Sequence, residues 1–232
     1  MSNFLKFPRT PHLFVMSGLN VRDDKVLSSE ESSLFYTNPI ILEEKTDGAN
    51  VGISFSSNGE LRVQNRGNYI IPGFAPQFDK IWPWLSKRIE QLHETLNDRF
   101  ILFGEWCYAK HSIHYTKLPD WFLAFDIYDR QENQFLTVER RNAMLGNINI
   151  AVIQMVGNGI FAQNQLVELL KKQPSTYCEG KMEGLYLRLE DERFLKLRAK
   201  VVQANFIQSI TDHWSREKLV ENRLLNLKEQ PR

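Results

Sequence analysis

Short apolar runs separated by turn signals, with a few helical repeats between them, predict an α+β chain of mixed, largely antiparallel sheets and peripheral helices. Two hairpins and one amphipathic stretch carry that prediction. Residues 40–55 read as strand, Asn58-Gly59 marks a tight turn, and Leu61 to Asn65 returns. Met182 to Leu189 and Phe194 to Lys200 form a second hairpin around Asp191. Ile81, Leu85, Ile89, Leu92 and Leu96 recur at helical spacing, with Pro83 near the start.

The remaining elements follow the same logic. Apolar runs at 100–106 and 121–128 read as buried strands, and Ile150 to Val156 as another. Thr137 caps a short helix through Leu145, and Asn164 to Lys172 is helical. No internal repeat, low-complexity tract or Gly/Ser linker divides the 232 residues. The expectation is one domain over 1–232, with 201–232 a short helical C-terminal extension whose helix runs from Ser215 to Lys228.

Composition excludes several classes. The longest apolar runs, such as Ile40-Ile41-Leu42, are too short to span a bilayer, and no signal-peptide pattern opens the chain. Cys107 and Cys178 give neither metal-ligand spacing nor a disulfide framework, so a cytoplasmic location is expected. The net charge of +1 excludes a bulk polycation, although local basic clusters such as Lys196-Leu197-Arg198-Ala199-Lys200 remain.

Chemistry is concentrated around Glu43-Glu44-Lys45-Thr46-Asp47-Gly48-Ala49-Asn50. Strand alternation puts Glu43, Lys45 and Asp47 on one face, and Gly48 permits close backbone approach to a ligand. Taken alone, a lysine between acids is usually just a solvated ion pair. Downstream, in order, come Asn65-Arg66-Gly67, Phe103-Gly104-Glu105-Trp106, Phe122-Leu123-Ala124-Phe125-Asp126, Glu183-Gly184-Leu185 and Lys196-Leu197-Arg198. This ordered set resembles the covalent nucleotidyltransferases, the superfamily of polynucleotide ligases and messenger-RNA capping enzymes. Within it, the chain is most similar to ATP-dependent RNA ligases of the double-strand-sealing type. Pro8-Arg9-Thr10-Pro11-His12-Leu13 and His111-Ser112-Ile113-His114-Tyr115 with Leu118-Pro119 extend the likeness.

The resemblance implies a nucleotidyltransferase (ATP-grasp-like) domain in which Lys45 attacks the α-phosphate of ATP. It implies ribose contacts for Glu105, a ribose or 5′-phosphate contact for Arg66, adenine stacking for Phe125, and phosphate bridging for Asn50. Glu44 and Asp47 flank the lysine in the same nucleotide-binding set. Glu183 is implied as ligand for Mg²⁺, or Mn²⁺ in its place; one acid suffices because magnesium keeps most of its waters. Lys196 and Arg198 are expected to sit beside the phosphates, to stabilise developing charge and to disfavour the ammonium form of Lys45. Arg198 departs from the usual Lys-x-Lys, and arginine is not a neutral exchange. Arg9, His111 and His114 are open between substrate contacts and ordinary surface roles. Too few residues follow Lys200 for the OB barrel appended by DNA ligases and capping enzymes. The implied partner is RNA with 5′-phosphate and 3′-hydroxyl ends, alongside end-healing kinase or phosphatase enzymes. A DNA ligase is the near rival, and an inactive nucleic-acid-binding repair accessory is a second.

Overall fold

The structure, a computed structural model, describes residues 4–16, 26–203 and 219–225. Two antiparallel sheets face each other across the region that holds Lys45. The first has four strands in the order β7-β1-β8-β9 and the second five in the order β3-β2-β4-β5-β6. Their ranges are β1 Ile40–Lys45, β2 Ala49–Phe55, β3 Leu61–Gln64, β4 Phe100–Trp106, β5 Phe122–Asp129, β6 Gln134–Phe135, β7 Met155–Gly159, β8 Gly184–Glu190 and β9 Leu195–Val202.

Helices cover the outer faces. Leu42, Leu185, Leu187, Ala199 and Val201 pack with Phe35 of α1 (Ser29–Thr37) and Leu166 and Leu170 of α5 (Gln163–Lys172). Val51, Ile53, Leu102 and Ile127 pack instead with Leu85 of α2 (Ile81–Ser86) and with Leu92 and Leu96 of α3 (Ile89–Leu96). Period-2 alternation therefore sends the apolar set outward to the helices and the polar set inward between the sheets. Thr137 caps α4 (Val138–Gly146) as expected, accepting from Arg140 N.

The chain crosses between sheets at the lysine. Lys45 ends β1, Ala49 begins β2, and Thr46-Asp47-Gly48 is the whole connection. Gly48 is required here because a Cβ would lie 2.6 Å from the carbonyl oxygen of Trp106. Gly184 is paired with Lys45 across β1 and β8, and a Cβ there would lie 2.4 Å from the Val201 carbonyl oxygen. Both glycines are fixed by close approach of backbones that meet beside one side chain.

Several expectations change. The helical stretch 81–96 is two helices, broken at Lys87 and Arg88, where the Arg88 guanidinium pairs with Asp120 and lies 4.5 Å from the Trp84 ring centroid. The strand expected at 150–156 begins only at Met155, and Val152 makes an isolated bridge to Ala124. The C-terminal extension is not helical where it is described. Residues 201–202 complete β9, and 219–225 run extended, bridging Ala109 through Glu221 and Leu118 through Leu224. Asn222 explains that conformation: its side chain donates to Cys107 O and Ala109 O and accepts from Tyr115 N, bonds a helix would not present. The rest of the helix expected over Ser215 to Lys228 lies outside the described residues.

Candidate active site

A cavity of about 410 Å³ opens between the sheets, a size suited to a small-molecule ligand. Of the residues singled out from sequence, Glu44, Lys45, Asn50, Arg66, Glu105 and Phe125 line it, as does Arg9. Glu43, Tyr186 and Lys200 also line it. Sheet register explains the convergence. Lys45 faces Gly184, Glu43 faces Tyr186, and Tyr186 faces Lys200, so one inward row spans three strands.

Lys45 is held by an acid. Its Nζ lies 2.7 Å from both carboxylate oxygens of Glu183, which is itself buried. Burial alone would lower the lysine pKa, but Glu183, Asp47 and Glu105 outweigh it and raise it, so the resting amine is an ammonium. This corrects the expectation that cations from Lys196 and Arg198 keep the amine neutral: carboxylates, not cations, surround it. Burial also pushes Glu183 upward, with Lys45 pulling it back. Burial pushes the Glu105 carboxyl up to about 8, while Gly48 N donates to its Oε1 at 3.0 Å.

Other predicted residues are placed differently from one another. Asp47 lies past the end of β1, and its carboxylate accepts from Ser112 N at 2.8 Å and from the Ser112 hydroxyl. Its backbone N–H donates to the Tyr115 hydroxyl at 2.9 Å. The segment 111–115 thus acts by holding the crossover, and the 219–225 segment in turn holds it. His111 packs against Gln77 Oε1, and His114 Nε2 lies 3.1 Å from Glu221 O; neither lines the cavity. Glu44 points away from Lys45, accepting from the Ser175 hydroxyl at 2.5 Å and Thr176 N at 2.9 Å, so its carboxylate serves the fold.

Lys196 is not brought to the group. It is half exposed, and its Nζ pairs with Asp191 at 2.5 Å by the hairpin turn. Arg198 is nearly buried, pairs with Asp126 at 3.0 Å, and lies 4.0 Å over the Phe135 ring centroid and 4.9 Å over that of Phe7. The physical reason is register. Lys196, Arg198 and Lys200 share a face of β9, but Lys45 meets the Gly184 end of β8, and antiparallel pairing sets Val202, not Lys196, opposite Gly184. Lys200 is therefore the β9 cation that reaches the cavity.

Lys200 is fixed by the N-terminal segment: Lys200 N donates to Pro11 O and Leu13 N to Lys200 O, both at 2.9 Å, which carries Arg9 and Thr10 to the cavity wall. Phe125 sits at a β-bulge, where register shifts between Phe103/Asp126 and Gly104/Ala124. The bulge turns its ring toward the cavity and frees its carbonyl, which accepts from Arg141 at 2.6 Å and Arg188 at 3.1 Å.

Beneath the cavity lies a buried ionic ladder. Arg141 pairs with Glu43 at 2.6 Å, and Arg188 pairs with Asp126 and with Glu190, placing charges from both sheets and α4 in one layer. Burial would lower the Arg188 pKa, but Asp126 and Glu43 raise it well above the usual value. Two acceptors are left over: Glu43 Oε2 and Asn50 Oδ1 are buried without a hydrogen-bond partner among the described residues. Unmet buried acceptors on a cavity wall are suited to donors on a ligand.

A divalent cation fits this site only as a shared guest. No cluster of three or more His, Cys, Asp or Glu able to hold a metal occurs among the described residues, so a closed protein cage is absent there. Glu183 remains as one carboxylate beside the cavity, the donor set of a cation completed by water and phosphate.

Comparisons with known proteins agree with the geometry. The RNA ligase family model matches residues 38–202. A Naegleria gruberi RNA ligase mutant solved with ATP and Mn is similar at 19% identity and a TM-score of 0.61, over 78% of this chain and 54% of that one. The same enzyme with PPi matches at 20% identity and 0.59, over 77% and 53%. An archaeal ATP-dependent RNA ligase matches at 19% and 0.58, over 86% and 48%. The chain spans about half the length of these solved proteins. No curated protein matches it. With the family model covering most of the chain and the lysine-centred cavity in place, the chain belongs to the RNA ligase family.

Proposed function

We propose that the protein is an ATP-dependent RNA ligase that joins 5′-phosphate and 3′-hydroxyl ends through an AMP bonded to Lys45. The observation that carries this is Lys45 at the crossover of two sheets, facing a nucleotide-sized cavity lined by Arg66, Phe125, Glu105 and Lys200. In the first step, the Lys45 ammonium gives up a proton to solvent and the free amine attacks the α-phosphorus. A P–N bond forms, the P–O bond to pyrophosphate breaks, and the nitrogen loses a second proton. In the second, a 5′-phosphate oxygen attacks the phosphorus of the lysyl-AMP, the P–N bond breaks, and the Lys45 amine leaves and takes up a proton. The resulting end carries AMP through a pyrophosphate link. In the third, a 3′-hydroxyl attacks that end, and AMP leaves. Charge stabilisation and positioning carry most of such catalysis.

The chain's residues divide this work. Phe125 offers an aromatic face to adenine, while Glu105 and Arg66 line the space for ribose and phosphate. Lys200, with Arg9, supplies positive charge to offset the negative charge that develops on the leaving pyrophosphate. A divalent cation held by Glu183, water and phosphate oxygens would offset phosphate charge. Asp47 and Arg198 position neighbouring groups. We read 1–232 as one adenylyltransferase domain and place it in the cytoplasm, a reading that the spacing of Cys107 and Cys178 suits. End-healing partner enzymes fit a ligase that requires a 5′-phosphate and a 3′-hydroxyl.

The test is a denaturing gel after incubation with α-labelled ATP and a divalent cation, followed by sealing assays on RNA and DNA nicks. A labelled band with preferential sealing of RNA is the expected result; labelling with DNA preference would make it a DNA ligase, and no labelling an inactive binder.

Two further results are expected. Lys200→Ala slows adduct formation by about 10²–10³-fold, the loss of one preorganised charge-stabilising donor, whereas Lys196→Ala changes it by less than about twofold, as suits an exposed pair. Initial rates in rapid-quench assays separate the two. Because Lys45 is held as an ammonium at rest, the attacking free amine is scarcer at low pH. Adduct formation should therefore rise by up to about tenfold per pH unit through the neutral range, and a rate falling with pH would contradict the assignment.

A further inference from the structure

The segment that follows Arg66 of the cavity wall carries exposed apolar side chains that no step above uses. Asn65 Oδ1 accepts from Gly67 N and Asn68 N, both at 2.8 Å, and fixes the turn containing Arg66, a cavity residue. Three residues on, Tyr69 is 40% exposed, followed by Ile71 at 67% and Phe74 at 44%. The tip is a built turn: Phe74 N donates to Ile71 O at 3.1 Å, and Gly73 has φ +81° after Pro72. Buried Ile70 and Phe78 anchor it on either side. The sheet thus presents its apolar tip to solvent at a fixed place, instead of folding it into the core.

The N-terminal segment connects that tip to the cavity. The Phe4 ring meets Tyr69 at 5.1 Å, Leu5 O accepts from Gln64, and Phe7 and Arg9 line the cavity. Residues 4–10 and 61–78 together hold Lys6, Arg9, Arg62 and Arg66 and no acidic residue, in a chain of net charge +1. The Arg62 guanidinium lies 6.0 Å from the Tyr69 ring centroid. Basic groups that track phosphates, interleaved with rings that accept bases, form the surface that single nucleic-acid strands bind.

We propose that this edge binds the RNA strand bearing the 5′-phosphate, with Tyr69 and Phe74 as stacking faces for the bases next to the end. The proposal rests on the ligase reading, and its test separates the two. A 5′-phosphorylated RNA with 5-iodouridine near its end is cross-linked to the wild-type protein, and adducts are mapped by peptide mass. In parallel, Tyr69→Ala, Tyr69→Phe, Phe74→Ala and Ile160→Ala are assayed for lysyl-AMP formation and for the RNA concentration giving half-maximal sealing. Adducts within 69–74 are expected. Tyr69→Ala and Phe74→Ala should raise that concentration by about 5- to 100-fold each, with lysyl-AMP formation within about twofold of wild type. Tyr69→Phe, which keeps the ring, and Ile160→Ala, exposed elsewhere, should leave both unchanged. Adducts only outside this edge, or unchanged RNA dependence in both alanine variants, overturn the surface. A wild-type protein that forms no lysyl-AMP sinks the ligase reading, while the cross-link map still decides whether the edge binds RNA.

Discussion

Lys45→Ala is expected to abolish the covalent AMP adduct while leaving the sealing of a pre-adenylylated 5′ end within about tenfold of wild type. The lysine is a nucleophile only in the first step. Once an end already carries AMP, the remaining reaction needs the cavity, its cations and a 3′-hydroxyl, but no amine at position 45. The contacts around Lys45 favour a folded variant: its Nζ is bonded chiefly to Glu183, and its strand is fixed by backbone pairing to β7 and β8. Parallel assays with ATP plus phosphorylated ends and with pre-adenylylated ends make the separation measurable. Equal loss in both would mean that Lys45 acts as a structural cation.

Arg188→Met should destabilise the protein by about 3–5 kcal/mol, read as a lower urea midpoint at unchanged slope. Arg188 is fully buried, pairs with Asp126 and Glu190, lies 3.8 Å from Glu43, and donates to the carbonyls of Phe125 and Leu136. Methionine fills similar space but leaves those oxygens, most of them buried, with too few donors. Arg198 and Arg141 retain Asp126 and Glu43 respectively, which limits the loss to one arm of the ladder. A loss below about 1 kcal/mol would show that the ladder is solvated.

Legibility from sequence followed the range of the signal. Hairpins announced by Asn58-Gly59 and Asp191, and the helix capped by Thr137, are local and were readable. The short helix Ser29–Thr37 left a weak signal, the Ser28–Glu31 capping box, but it buries only Phe35 and so lacks an apolar stripe. Lys45, Glu105, Arg66, Phe125 and Asn50 were readable as an ordered motif set and converge on one cavity. The choice of Lys196 over Lys200 failed because three cations share one face of β9, and only pairing with β8 decides which end meets Lys45. Counting back from the Glu183-Gly184 end of the hairpin would have found Lys200. Arg188 and Arg141 look like solvent-facing residues in sequence, since Asp126 and Glu43, which pair with them, come from other strands. The resting charge of Lys45 was misjudged for the same reason: Glu183 is 138 residues away, and only the fold shows that it, not a cation, touches the amine.

The most direct measurement is the attachment site of the nucleotide. After incubation with ATP and a divalent cation, the protein is denatured, digested and sequenced by tandem mass spectrometry. AMP on the side chain of Lys45 is the expected finding, and a stable adduct on Lys196, Lys200 or any other residue, with Lys45 unmodified, would contradict it.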